Sequence, residues 1–152
     1  MERGEAWAVG YVITLDTNWV TTTAQAWGRS GQGDVAVRLE TVGPGRWHVN
    51  GRSAPELDGC VDVDLESSAC TNTIPVHRLR IGVGQTVEAP AAYVGALDLG
   101  VERLEQSYAR LEDDGLHRVF RYRAPAFDFE SRLVFDVAGL VAEYPGIASR
   151  AR

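Results

Sequence analysis

The sequence contains no lysine; its fifteen basic residues are all arginine. That absence excludes a Schiff-base lysine, a pyridoxal-phosphate anchor and the lysine of a phosphate-binding loop. Cysteine is nearly absent too, with only Cys60 and Cys70. Neither sits in a Cys-x-x-Cys pair, and His48, His77 and His117 fall in no zinc-ligand spacing, so no structural zinc is expected. Both cysteines read as free thiols. There is no Gly-x-Ser-x-Gly elbow for a hydrolase serine. No stretch approaches the roughly 20 apolar residues of a membrane span, and no apolar run of signal-peptide length follows the opening Met-Glu-Arg-Gly-Glu. A cytoplasmic location is expected. A formal net charge of −6 leaves no broad basic surface for phosphate backbones, so nucleic acid is not an expected partner.

What the sequence does have is length for a buried core and a recurring period of two. With 152 residues it reads as one domain, 1–152, and nothing in it calls for a cofactor. Tyr11, Ile13 and Leu15 alternate with smaller or polar neighbours, as in a half-buried strand, and Asp16-Thr17-Asn18 reads as a turn. Trp19 to Trp27 is rich in Thr, Val and Trp. A glycine-rich connection over Gly28 to Gly33 leads to Asp34–Glu40, where Val35, Val37 and Leu39 share one face. Gly43-Pro44-Gly45 turns the chain into Arg46–Asn50, with Trp47 and Val49 on the apolar side. Cys60 to Leu65 alternates again, and Thr73 to Ile81 reads as a further strand. Ala89 to Tyr93 is expected to be a short helix or turn. Leu97, Leu99 and Val101 begin a strand, although Val101 to Leu111 also fits an amphipathic helix. Leu116 to Arg123 and the even-spaced Phe127, Phe129, Leu133, Phe135 and Val137 follow. A hairpin turn at Ala138-Gly139 leads to Leu140–Tyr144, and the tail after Pro145-Gly146 is expected to fray. The fold class that follows is all-β, a curved antiparallel meander forming a barrel or half-barrel with minor helix.

Three groups of residues carry possible chemistry. Asp62, Asp64 and Glu66 share one side of a strand, as paired carboxylates, as part of a hard-cation site or as a solvated face. No EF-hand-like spacing accompanies them, so no metal site is assigned. Arg118, Arg121 and Arg123 alternate with Phe120 and Tyr122. They read either as a grip on a sugar or phosphate headgroup or as a solvated outer face beside buried aromatics. Phe127, Phe129 and Phe135 read as packed core before pocket lining.

The ordered set Leu57-Asp58-Gly59-Cys60-Val61-Asp62-Val63-Asp64-Leu65, Thr71-Asn72-Thr73-Ile74-Pro75-Val76-His77-Arg78-Leu79, Val87–Tyr93, Gln106–Leu111 and Tyr144-Pro145-Gly146 resembles the bacterial Putative glycolipid-binding family, formerly a domain of unknown function. The resemblance implies a twisted, barrel-like β fold, distantly similar to the lipoprotein carriers of the bacterial envelope, and a glycolipid-binding role without catalytic residues. The recurring positions are Asp58, Gly59, Cys60, Asp62, Asp64, Asn72, Thr73, Pro75, Arg78 and Tyr108. With the strand of Arg121 and Tyr122 they give the expected ligand-binding set: Arg78, Tyr108, Arg121, Tyr122, Asp62, Asp64 and Asn72. Family members carry further strand-forming residues before the segment matching Tyr11 to Trp27, which implies an open sheet edge here and a homodimer.

The reading that follows is a non-catalytic protein holding a lipid or glycolipid in its concave face, an acyl chain inside and arginine and tyrosine at the rim. The alternatives are a glycolipid or sugar hydrolase or isomerase using paired carboxylates, and a protein-interaction domain with a solid core.

Overall fold

The computed structural model describes residues 8–30, 33–66 and 68–150. The chain start, residues 31–32 of the glycine-rich connection, residue 67 of the bend before Ala69 and the last two residues of the tail lie outside the described residues. The period-2 segments at the start form an antiparallel meander of β1 (Ala8–Leu15), β2 (Thr21–Ser30), β3 (Gly33–Gly43), β4 (Arg46–Val49) and β5 (Arg52–Ser53), paired in chain order. The Asp16 side chain closes the first turn, its Oδ1 accepting from the Asn18 and Val20 amides at 2.8 and 2.9 Å. β2 runs on through Gly28, paired with Val9 and Val35, so the expected connection is shorter than its glycines suggest. Gly45 has φ +62 and its Cα faces the Gly59 backbone, where a Cβ would come within 3.3 Å. The Gly59 amide donates to the Gly45 carbonyl at 2.8 Å.

The next sheet departs from a meander. β6 (Asp62–Leu65) pairs in parallel with β8 (Ala91–Val94), which pairs antiparallel with β9 (Val101–Leu104). A parallel pair needs a crossover, usually helical. Here it contains α1 (Thr73–Leu79), where the sequence reads as a strand, and β7 (Thr86–Glu88). Pro75 lies in the first turn of α1, where no amide is missed, and Arg80 ends the helix in the left-handed region at φ 47. Ala91 to Val94 is strand rather than helix or turn, and Leu99, with φ 53, lies in the loop between β8 and β9 rather than in a strand.

The third sheet is antiparallel, β14-β13-β12-β11-β10-β7, with β10 (Ser107–Arg110), β11 (Arg118–Ala124), β12 (Phe129–Phe135), β13 (Val141–Tyr144) and β14 (Ala148–Ser149). Val101 to Leu111 is therefore two strands, and the tail is paired at Glu143–Ser149 and Tyr144–Ala148 rather than frayed. Among the described residues no sheet closes into a barrel.

The β6-β8-β9 sheet serves two cores, one on each face. Val63, Leu65, Ala92 and Val94 join Ala26, Leu39 and Trp47 of the first sheet. Leu104 joins Val76, Tyr108, Phe120, Leu133 and Phe135 on the other side. One contact links the three parts. The His77 ring of α1 stacks on Trp19 of the β1–β2 turn (centroids 4.0 Å apart, planes 7° apart), and its Nε2 lies 3.2 Å from the Gly139 carbonyl oxygen of the β12–β13 hairpin. Gly139 has φ +78, and an added Cβ would collide with the His77 ring. Gly139→Ala is expected to lower stability by about 1–2 kcal/mol from the left-handed backbone alone. The check is a lower urea midpoint at unchanged m-value.

Candidate functional site

The alternation of β6 puts Asp62 and Asp64 on the face away from the first sheet, and that face is interior. Asp62 is 1 % and Asp64 8 % exposed, so the solvated-face reading does not hold for them. Their partners differ. Asp62 accepts from Arg78 of α1 in a two-point pair, Nε to Oδ1 at 3.1 Å and Nη2 to Oδ2 at 2.6 Å. Burial pushes the Asp62 pKa upward, and Arg78 pulls it back in part.

Asp64 accepts from the Thr71 hydroxyl at 2.6 Å, while Thr71 Oγ1 also lies 2.9 Å from the Ser68 carbonyl oxygen. A hydroxyl has one proton and cannot donate to both. Protonation of Asp64 removes the conflict, because its own proton then goes to Thr71 and the Thr71 proton to Ser68. Burial, aided by the Asp62 charge, pushes Asp64 up to about 6 against the Thr71 and Leu65 hydrogen bonds.

Asp64 forms part of the wall of a cavity of about 160 Å³ between the β6-β8-β9 sheet and the third sheet. Asn72, from the 3-10 turn before α1, lies beside it. Tyr93, Tyr122, Phe127, Phe129 and Tyr144 supply the aromatic lining. Their rings pack tilted or edge-on: Tyr93 to Phe127 at 5.2 Å, Tyr122 to Phe129 at 6.1 Å and Tyr122 to Tyr144 at 6.3 Å. Tyr122 donates its hydroxyl to Gln106 Oε1 at 2.8 Å, so that group is already committed. Burial raises the pKa of Tyr93, Tyr122 and Tyr144, which keeps the tyrosines of the wall neutral.

Asn72 is 2 % exposed, and its Oδ1 has no hydrogen-bond partner. An asparagine at the start of a helix ordinarily caps a first-turn amide. Asn72 makes no such bond, and the Thr73 amide is taken by the Cys70 and Thr71 carbonyls of the preceding 3-10 turn. The mouth is mixed: Phe127 and Ile147, both lining residues, are 49 % and 50 % exposed, and the exposed Glu66 lines it too, its Oε2 accepting from the Ala96 amide at 2.7 Å.

Of the expected site residues, the fold brings Asp64, Asn72 and Tyr122 together on this cavity. Asp62, Arg78 and Tyr108 are not part of its lining. Asp62 and Arg78 bind each other, and Tyr108 is fully buried against Tyr122 at 5.2 Å, its hydroxyl without a partner. Arg121 is exposed and lies on the opposite face from Tyr122, because neighbours on a strand face opposite sides and Tyr122 faces in. The missed residues are Tyr93, Tyr144, Phe127 and Phe129. The two phenylalanines stand in the even-spaced run read as core, where Phe135 is the one phenylalanine that is fully buried.

Larger hollows lie at the surface. One of about 540 Å³ flanks Trp27 on the outer face of the first sheet, and one of about 510 Å³ lies beside Trp19, His77 and Arg110. Arg110 already donates to Asp113 and to the Ile81 carbonyl. Cys60 is buried, with its thiol pushed up to about 11 mainly by that burial, and Cys70 is exposed; both are free thiols, as expected. No group of His, Cys, Asp and Glu that could hold a metal occurs among the described residues. No helix of the described residues is long and apolar enough to cross a membrane.

Fold and cavity together define a mostly β protein of three sheets with a small pocket, aromatic in its walls and acidic at its floor. Residues 1–150 match the family described as Putative glycolipid-binding, and the chain belongs to that family. Its structure is similar to the crystal structure of a DUF1089 family protein from Pseudomonas aeruginosa. The TM-score is 0.88 at 32 % identity, over 99 % of this chain and 80 % of that one. Comparison with curated proteins finds no match.

Proposed function

We propose that this protein binds a glycolipid at the Asp64–Asn72 pocket without chemical change to it. The observation that carries the reading is Asn72 Oδ1, a buried acceptor with no partner, on a residue that lines a cavity together with five aromatic side chains. Leaving a buried acceptor unpaired costs about 1–3 kcal/mol, a cost that a ligand hydroxyl removes. The family description points the same way. Asp62 is held by Arg78 away from the cavity, which argues against a hydrolase using the Asp62 and Asp64 carboxylates as a pair.

Native mass spectrometry of protein taken gently from its host, followed by lipid analysis under denaturing conditions, is expected to show one retained lipid per chain. An empty protein that also ignores a lipid panel overturns the reading.

Two further expectations belong to the same proposal. Among the described residues β1 has a neighbour on one side only, and it carries neither charge nor proline over Ala8–Leu15, an edge that favours a homodimer. A monomer in sedimentation rejects that arrangement. The free thiols Cys60 and Cys70 favour a reducing, cytoplasmic location, and localisation of a tagged full-length chain to the envelope would reject it.

A further inference from the structure

We infer that the pocket takes the ligand head first: a single neutral sugar ring enters the cavity and donates a hydroxyl to Asn72 Oδ1, while the apolar tail leaves across Phe127 and Ile147. The inference rests on the glycolipid reading above and reverses the polarity usual for a lipid carrier, in which the chain is buried and the head stays at the rim.

Three observations carry it. The first is size. About 160 Å³ is close to the roughly 150 Å³ cavity that holds one benzene ring, and well below the roughly 300–1,000 Å³ of sites that enclose larger ligands. One ring fits, and a long acyl chain does not. The second is the direction of polarity. Asn72, whose Oδ1 lacks a partner, is 2 % exposed, whereas the large apolar Phe127 and Ile147 are about half exposed at the mouth, beside Glu66, whose Oε2 accepts from the Ala96 amide. A tail inserted first would seal the Asn72 oxygen without a donor.

The third is the chemistry of the walls. A sugar ring carries hydroxyls around its edge and C–H groups on its faces, and the pocket offers those faces tilted rings, of which Tyr122 has its hydroxyl committed to Gln106. A site built to hydrogen-bond a ligand hydroxyl discriminates strongly against an analogue that lacks it, because its buried polar group is then left unpaired. Asp64 can accept from, or when protonated donate to, a second hydroxyl. The absence of any cation from the cavity lining favours a neutral ring over a phosphorylated or sulfated one.

The test uses the full chain and three kinds of probe, read by aromatic proton NMR shifts and calorimetry. The probes are n-octyl β-glycosides below their micelle concentration, the matching methyl β-glycosides, and 1-octanol, with the sugars in gluco, galacto and manno configuration. At least one octyl glycoside is expected to bind, its methyl counterpart to bind more weakly at the same rings, and 1-octanol to leave those rings unshifted. Asn72→Leu is nearly isosteric and removes an unpaired buried acceptor. It is expected to weaken glycoside binding about ten-fold or more while the ligand-free unfolding midpoint stays level or rises. Ile147→Ser, at a half-exposed lining position, is expected to weaken octyl glycoside binding more than methyl glycoside binding and so narrow the octyl-over-methyl preference. Binding of 1-octanol at the same rings, with glycoside affinity indifferent to Asn72→Leu, overturns the head-first placement and leaves the glycolipid reading standing. Failure of every glycoside to shift the pocket rings also overturns it. Only an additional absence of retained lipid in the native spectrum brings down the glycolipid reading with it.

Discussion

Arg78→Met is expected to destabilise the protein by about 3–5 kcal/mol, the usual cost of removing one partner from a buried ion pair. Asp62 is 1 % exposed, and both of its oxygens are held by the Arg78 guanidinium. Without Arg78 the carboxylate must stay charged in an apolar setting or take up a proton that it does not ordinarily hold at neutral pH. The raised Asp62 pKa shows that burial already outweighs the pull of its partner, so the intact pair adds little net stability. The double variant Asp62→Leu/Arg78→Met should therefore regain most of what the single one loses. Urea unfolding of the three proteins decides it. A single-variant loss under about 1 kcal/mol is the value expected of a solvated pair and would remove Asp62–Arg78 from the account of how α1 is fixed to β6.

The second large effect is pH-dependent and centres on Asp64. Its pKa stands at about 6 in the folded protein against 3.8 for the free side chain. On raising the pH from about 4 to about 6, the unfolded chain releases this proton while the folded chain retains it. Stability due to this group therefore falls over that window and is level above it. The fall amounts to about 3 kcal/mol, since each pKa unit corresponds to about 1.4 kcal/mol. Asp34 and Asp136 work in the opposite direction. Arg29 and Arg150 hold them low, so folding loses their favourable contribution on acidification, though both are exposed and their effect is small. The comparison is thus the wild type against Asp64→Asn. The asparagine does not titrate, so the variant should gain on the wild type by about 3 kcal/mol between pH 4 and pH 7, whatever its fixed offset. Parallel curves would mean that Asp64 is ionised through the whole range, and that Thr71 donates to Asp64 and not to Ser68.

Much of the first sheet was legible because its strands lie one face in and one face out. Val37, Leu39 and Trp47 are buried where their period of two places them. The same rule, applied to Arg121 and Tyr122, excludes the two from one pocket, since successive side chains on a strand point to opposite faces. Helix α1 was not legible. Thr73, Ile74 and Val76 are β-branched and favour strands, and they are helical because the crossover between parallel strands β6 and β8 requires it. The acidic side of β6 was correctly separated from its apolar side, but nothing local says which neighbour covers it. Its cover comes from α1, through Arg78, and from the third sheet. Of the aromatic walls only Tyr122 stood in the expected set, for a similar reason. Tyr93, Phe129 and Tyr144 come from three other strands, and each alone reads as an ordinary core residue.

By itself, the sequence determined the β class, the alternation of the first sheet, the exclusion of lysine chemistry and, through its ordered motifs, the family. These depend on residue type and on spacing along the chain, which are local quantities. Tertiary structure alone decided that no described sheet closes, that Asp62 belongs to Arg78, and that Asp64 and Asn72 meet the aromatic walls from separate elements. Each of these depends on which surfaces meet when the two cores form. That is set by the parallel crossover and by the burial of both faces of the β6-β8-β9 sheet, neither of which is written in any single stretch of the chain.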